Sequence, residues 1–328
     1  MSLELNVVAE GLGFPEGPVA MKDGSVLFVD IEQETLVRVA GDGGSEPVTV
    51  AKLPGGPNGV AIGPDGAAYV CNNGGVYRCA RDKDTGLMTP NPNPKIYKGK
   101  PGDYRGACDG YRGGSIQRVD LDTGEVTDLY THYNSKCLLA PDDIVFDKKR
   151  DGFWFTETGI QDEETLHKGA VYFATTDGNT LVRVATIPMP NGIGLSPEGD
   201  TLYVSDTIYG RLWALEIDGP GKVKQAPLPI MPGRNVQTLP AWNGLVQWVD
   251  SLKVEASGKI CVATLIKGGI TVFSPDGETE HVEVPDPYTT NLCFGGEDMQ
   301  DVWITASGTG KIYRARWPRP GLKLAFNA

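Results

Sequence analysis

The sequence predicts an all-β fold, a propeller of six four-stranded antiparallel blades around a central channel, and three observations carry that prediction. Six segments share one short pattern with an acidic or amide residue at the same place in it. These residues are Glu16 in FPEGPVA, Asn58 in GPNGVAI, Asp142 in APDDIVF, Asn191 in MPNGIGL, Asp250 in WVDSLKV and Asn291 in TTNLCFG. In each case a second apolar strand follows 11 or 12 positions later, centred on Phe28, Tyr69, Trp154, Tyr203, Cys261 and Trp303. The marked positions are separated by 42, 84, 49, 59 and 41 residues, close to the period of a four-stranded blade except in the second interval. One supersecondary unit used six times returns an equivalent position to a common axis.

The elements follow in chain order. Residues 4–9 form a strand before the first marked position, placed to pair with the last blade and close the ring, which removes an exposed edge. Each inner strand begins at its marked residue and alternates inward, as in Asn58, Val60, Ile62 or Asp142, Ile144, Phe146. A turn such as GPDG (63–66) or SPEG (196–199) reverses the chain. The apolar second strand comes next, then an outer hairpin such as GSIQRVDLDTGEVTDLY (114–130), whose DLDTGE lacks an EF-hand's ligand series and is a hairpin turn. The long second interval contains a Gly-, Pro- and Tyr-rich stretch at about 81–114, which reads as a loop excursion, and 219–244 reads as another. No amphipathic helix of useful length interrupts the pattern, and the chain 1–328 is expected to be a single domain.

Composition narrows the function. With 43 Gly and 24 Pro in 328 residues, the chain suits many tight turns between short strands. A net charge of −12 argues against nucleic acid or an anionic membrane surface as partner. The six cysteines show no CxxC pairing and no zinc-type spacing with the three histidines. Cys71, Cys261 and Cys293 lie in apolar strand patterns, where a thiol acts as a small hydrophobe. No signal peptide precedes Leu3 and no apolar run has membrane-spanning length, so the expected compartment is a reducing cytoplasm, for a monomer or small homo-oligomer.

The marked residues carry the chemistry. Three carboxylates and three amides meeting at one axis form a cage of oxygen ligands, which points to a hard divalent cation. Pro-Asn-Gly and Pro-Asp-Asp are also ordinary turn sequences, and any one of them fits a turn. A turn has no need of Glu at one repeat and Asp-Ser at another, so the six together favour a site. Familiar catalytic signatures, such as G-x-S-x-G, H-E-x-x-H, Walker-type loops and G-x-G-x-x-G, are absent.

With the six units aligned, essentially the whole chain resembles the regucalcin and gluconolactonase family of metal-dependent lactonases, whose scaffold also occurs in diisopropyl fluorophosphatase. The most specific pieces are FPEGPV, PDDIVFD…GFWFTETG, PNGIGLSPEGDTLYVSDT and VDSLKVEASGKICVAT. The resemblance implies that Glu16 and Asn191 bind calcium. It further implies that Asp250 is both a ligand and the usual candidate for the catalytic residue. The blade-three position binds metal or substrate in that family, often as asparagine, and here it is Asp142. That departure adds a negative charge and leaves open which aspartate acts as base.

The expected site therefore comprises Glu16, Asn191, Asp250 and Asp142 around one divalent cation, calcium first, with magnesium, manganese, zinc and ferrous iron as the other candidates. Without metal, such a cluster should share a proton, with one carboxyl raised by its neighbours. Asn58 is expected as a direct ligand, beside the ligands or in substrate contact, and Asn291 lining the channel. Tyr104 and Arg105 in the long excursion are expected to help hold substrate, along with Asp142. The implied reaction opens a small sugar-type or related γ- or δ-lactone to its hydroxy acid. Asp250 or Asp142 would act as base towards water, or Asp250 as nucleophile. The alternatives are organophosphorus or phosphotriester hydrolysis at the same metal, and a non-catalytic calcium-binding propeller.

Overall fold

The structure is a computed structural model that describes residues 3–92, 113–161, 166–226, 228 and 230–326. Six antiparallel sheets surround a channel, and each presents its first strand to the axis. The inner strands are Pro15–Ala20, Pro57–Ile62, Pro141–Asp147, Pro190–Leu195, Trp248–Val254 and Thr289–Gly295 in blades one to six. The ring closes as expected, because Asn6–Ala9 pairs with Lys311–Arg316 as the outermost strand of blade six. Among the described residues, helix is confined to a 3-10 turn at Thr207–Tyr209.

Two stretches read from sequence as excursions contain regular structure. Arg234–Thr238, inside 219–244, pairs with Arg211–Gly219 and is the outer strand of blade four. The excursion in blade two opens with a hairpin, Tyr77–Arg81 against Met88–Pro92. Both stretches are largely exposed edge structure, so they carry no apolar alternation for a pattern reading to find.

The blades hold together through apolar layers between adjacent sheets. Between blades two and three, Tyr69, Phe146, Phe153 and Phe155 pack edge-on or tilted, with the Tyr69 and Phe146 rings 5.1 Å apart. Between blades three and four, Trp154 stands edge-on to Phe173 at 4.9 Å and packs with Val204 and Trp213. Trp154 is fully buried, and its indole N–H donates to Asp147 Oδ2 at 2.9 Å, so the polar end of the ring is satisfied. Truncating such a ring costs roughly 3–5 kcal/mol.

The two ends of the channel differ. One end is apolar, with Val60, Ile62, Ile144, Phe146, Ile193 and Leu195 lining a narrow cavity of about 40 Å³ together with the C-terminal segment. Leu322 donates its N–H to Val254 O at 2.8 Å, and Phe326 sets its ring edge-on to Phe146 at 5.5 Å, which seats that segment across the channel. The marked residues lie at the opposite end, where the inner strands begin.

Candidate metal centre

Each inner strand is interrupted at its marked residue. The pairing with the second strand shifts register between Glu16 and Val19, Pro57 and Val60, Pro141 and Ile144, Pro190 and Ile193, Val249 and Leu252, and Thr289 and Asn291. A bulge of this kind breaks the alternation of side chains and re-aims a residue. The strict inward alternation expected from sequence therefore begins only beyond the bulge.

Glycine brings neighbouring inner strands close at the same level. A Cβ on Gly59 would lie 2.5 Å from Asp142 O, and one on Gly192 would lie 2.4 Å from Leu252 N. Gly17, at φ +55°, would meet Asn58 O at 2.4 Å. Hydroxyls on the second strands secure the bulges. Thr156 Oγ1 accepts from Asp143 N at 3.1 Å and donates to Asn191 O at 2.5 Å. Ser205 Oγ repeats the device one blade on, accepting from Gly192 N at 2.7 Å and donating to Asp250 O at 2.6 Å. Each hydroxyl thus ties its own blade to the backbone of the next blade's marked residue.

Around the ring, acid and amide alternate: Glu16, Asn58, Asp142, Asn191, Asp250, Asn291. Each amide serves the acid that follows it. Asn58 Nδ2 donates to Asp142 Oδ2 at 3.0 Å, and Asn291 Nδ2 closes the circle onto Glu16 Oε2 at 2.7 Å. The Asn191 side chain hydrogen-bonds the Asp250 carboxylate and receives Ser251 Oγ on its Oδ1 at 3.5 Å. With its N–H turned to Asp142, Asn58 leaves its carbonyl oxygen to offer the axis, and Asn191 Oδ1 receives only the long Ser251 contact, whereas Asn291 Oδ1 already accepts from Leu292 N at 2.8 Å.

The electrostatics are unfavourable without a cation. Burial raises the Asp142 carboxyl well above the usual range, and Asp250, Glu16 and Asp143 push it further. Asp250 is likewise pushed well up, by burial and then by Glu16, against the pull of Asn191. Glu16 is raised by burial despite hydrogen bonds from Asn291 and Gly17. Asp142 Oδ1 is buried with no hydrogen-bond partner. Among the described residues no three His, Cys, Asp or Glu side chains already form a metal-holding group. An oxygen-only set of carboxylates raised by burial and by neighbouring charge, with an unpaired buried oxygen, suits a hard divalent ion, for which amide carbonyls and waters complete the shell.

Asp143 and Lys253 were not singled out from sequence and belong to the site. Asp143 is 1% exposed, and its Oδ2 lies 3.6 Å from Lys253 Nζ. Burial raises Asp143 and the nearby ammonium opposes that rise. Two signals stood in the chain: the doubled aspartate of PDDIVF, and a lysine three residues after Asp250. The other repeats have Val19, Ala61, Val145, Gly194 and Phe294 at that position.

Tyr104 and Arg105, expected to help hold substrate, lie outside the described residues. Glu157 and Asp206 cap incoming turns: Glu157 accepts from Leu139 N and Tyr172 Oη, and Asp206 from Met189 N at 3.2 Å. Arg234 reaches Pro275 O at 3.2 Å on the outer side of blades four and five. Trp242 and Leu245 pair across a tight turn at Asn243 and Gly244.

A six-bladed propeller with a ring of alternating carboxylates and amides at one end of its channel defines a class, and comparison with known proteins identifies its family. Residues 14–308 match the family described as SMP-30/gluconolactonase/LRE-like region, and the chain belongs to it. A gluconolactonase from Zymomonas mobilis is 24% identical over 94% of this chain and 80% of its own length. Diisopropyl-fluorophosphatase from Loligo vulgaris is 25% identical over 162 residues, 47% of this chain and 48% of that one. The crystal structure of regucalcin from Agrobacterium tumefaciens, titled a calcium-binding protein, superposes with a TM-score of 0.70 at 17% identity, covering 99% of both chains.

Proposed function

We propose that this chain is a metal-dependent hydrolase that opens a small lactone of the sugar type, or a related γ- or δ-lactone, to its hydroxy acid. The observation that carries this reading is the meeting of Glu16, Asp142 and Asp250 at one channel end, each raised first by burial, with Asp250 and Glu16 pushing Asp142 further and Glu16 pushing Asp250, within a family that includes gluconolactonases.

Glu16, Asn191, Asp250 and Asp142 would hold one hard divalent cation, with calcium the first candidate from the family's calcium-binding relative. A bound cation supplies a Lewis acid for the lactone carbonyl and offsets charge on the developing oxyanion. The protein's own residues do the rest. Asp250, fixed through its carbonyl by Ser205 and through its carboxylate by Asn191, accepts a proton from the attacking water. The water oxygen bonds to the carbonyl carbon, the ring C–O bond breaks, and the ring oxygen leaves with a proton as the alcohol of the hydroxy acid. Asp142, oriented by Asn58, is the second candidate for the base. Burial of Glu16 and Asp142 in the channel strengthens the charge interactions around them, while Asp250 is half-buried.

A second reading, phosphotriester hydrolysis at the same residues, draws on the similarity to diisopropyl-fluorophosphatase over half the chain. One experiment separates the two. Metal-stripped protein is assayed by proton release on glucono-, xylono- and simple γ- and δ-lactones and on a phosphotriester, with calcium, magnesium, manganese, zinc and ferrous iron returned singly. Metal-restored lactone turnover that disappears in Asp250→Asn is the expected result. Turnover of the phosphotriester alone selects the second reading, and metal binding with turnover of neither class refutes both.

A further inference from the structure

The acidic end of the channel contains a resident cation. Lys253 rises from the inner strand of blade five, and its side chain is 16% exposed. Its ammonium donates to Leu252 O at 3.0 Å and to Asn291 Oδ1 on blade six at 3.3 Å, and stands 3.6 Å from Asp143 Oδ2 on blade three. Asp143 Oδ2 is buried and makes no hydrogen bond, so the ammonium is the charge that faces it. Lys253 also lines the apolar cavity below, which makes it a floor between the polar and apolar parts of the channel.

Charge counting gives this floor a purpose. Glu16, Asp142, Asp143 and Asp250 place four carboxylates within electrostatic reach of one another at this end of the channel, and a single divalent ion leaves an excess of two. A buried carboxylate without a counter-charge is costly and competes for any cation that enters. A tethered ammonium is already in place and loses no translational freedom in binding.

We propose that Lys253 is a positioning residue that acts as the resident counter-charge of Asp143, keeping that carboxylate out of the metal's ligand set so that a divalent ion meets Glu16, Asp142, Asp250 and Asn191. This inference rests on the metal reading above and concerns how the chain sets the strength of that site. Asp143 Oδ1 supports it by accepting from Ile144 N at 2.9 Å, which turns that oxygen to its own backbone. Lys253→Met leaves Asp143 with backbone hydrogen bonds but no counter-charge, and makes the surroundings of the ion more negative by one unit.

The test is calcium titration calorimetry at mildly alkaline pH, together with thermal unfolding in chelator. It compares the parent, Lys253→Met, Asp143→Asn and the double variant. Lys253→Met is expected to bind calcium roughly tenfold more tightly and to unfold at lower temperature without metal. Asp143→Asn leaves the ammonium unbalanced and is expected to bind roughly tenfold more weakly. The double variant is expected to return to parental affinity. If Lys253→Met does not fold in chelator, the Asp143→Asn and double variants still decide the matter. Parental affinity in Asp143→Asn, or in a folded Lys253→Met, overturns the counter-charge assignment alone. A parent that binds no divalent ion overturns the metal reading, and this inference with it.

Discussion

Replacing Thr156 by Val removes a hydroxyl and leaves the shape of the side chain almost unchanged, so its effect isolates the clamp between blades three and four. Thr156 is fully buried. Its oxygen accepts from Asp143 N at 3.1 Å and donates to Asn191 O at 2.5 Å. Valine strands one backbone donor and one backbone acceptor, and each unpaired buried group costs about 1–3 kcal/mol, so a loss of about 2–6 kcal/mol is expected. Thr156→Ser keeps the oxygen and removes one methyl, for about 1 kcal/mol. Urea unfolding of the metal-free proteins gives the comparison directly. Calcium titration gives a second readout, because Asn191 and Asp143 both lean on this hydroxyl; a roughly 10–100-fold loss of affinity is expected in the valine variant only. If valine is no more damaging than serine in either assay, the clamp does not position the site.

Three further outcomes are expected. Asp250→Asn should lower kcat for lactone hydrolysis by roughly two to four orders of magnitude while the metal-free fold is kept or stabilised, since a raised buried carboxyl is removed; full activity would eliminate Asp250 as base. Glu16, Asp142 and Asp250 hold protons more tightly folded than unfolded, so metal-free stability should fall as pH rises above about 4, and the stabilisation conferred by calcium should grow over the same window. Thermal unfolding with and without calcium between about pH 4 and pH 8 checks the sign, and metal-free stability rising across that range would refute it. Gly59→Ala places a Cβ 2.5 Å from Asp142 O and 2.6 Å from Asp143 Cα, so a loss of about 1–3 kcal/mol and weakened calcium binding should follow; a parental melting curve would show that the strands yield there.

The architecture was legible in the chain because a repeat states its own period, and the apolar second strands around Trp154, Tyr203 and Trp303 mark each blade. The six marked residues were legible for the same reason. Arg234–Thr238 escaped because an outermost strand buries almost none of its side chains and shows no apolar alternation. The bulge at each marked residue escaped because it is a property of pairing between strands, and neither strand records it alone. Asp143 lay one residue from a recognised position and was masked by it. Lys253 was masked by its strand, since a lysine in an alternating pattern ordinarily points to solvent. It faces inward here because Asp143, Asn291 and Leu252 O together replace its water. Tyr104 and Arg105 lie in a segment without periodicity, and their role rests on the proposed substrate contact.

The clasp that closes the ring also sets a schedule for making the site. Glu16 lies near the start of the chain, and its amide partner Asn291 is 275 residues further on. During synthesis Glu16 emerges long before the residue that orients it, and the strand at Asn6–Ala9 waits for Lys311–Arg316 before its edge is covered. Contacts this distant in sequence are slow to form, and an unpaired edge is exposed to other chains in the meantime. No fragment lacking blade six carries the complete ring of acids and amides. On the proposed metal reading, cation binding reports on completion of the whole circle, and calcium added during refolding should act only after the ends have met.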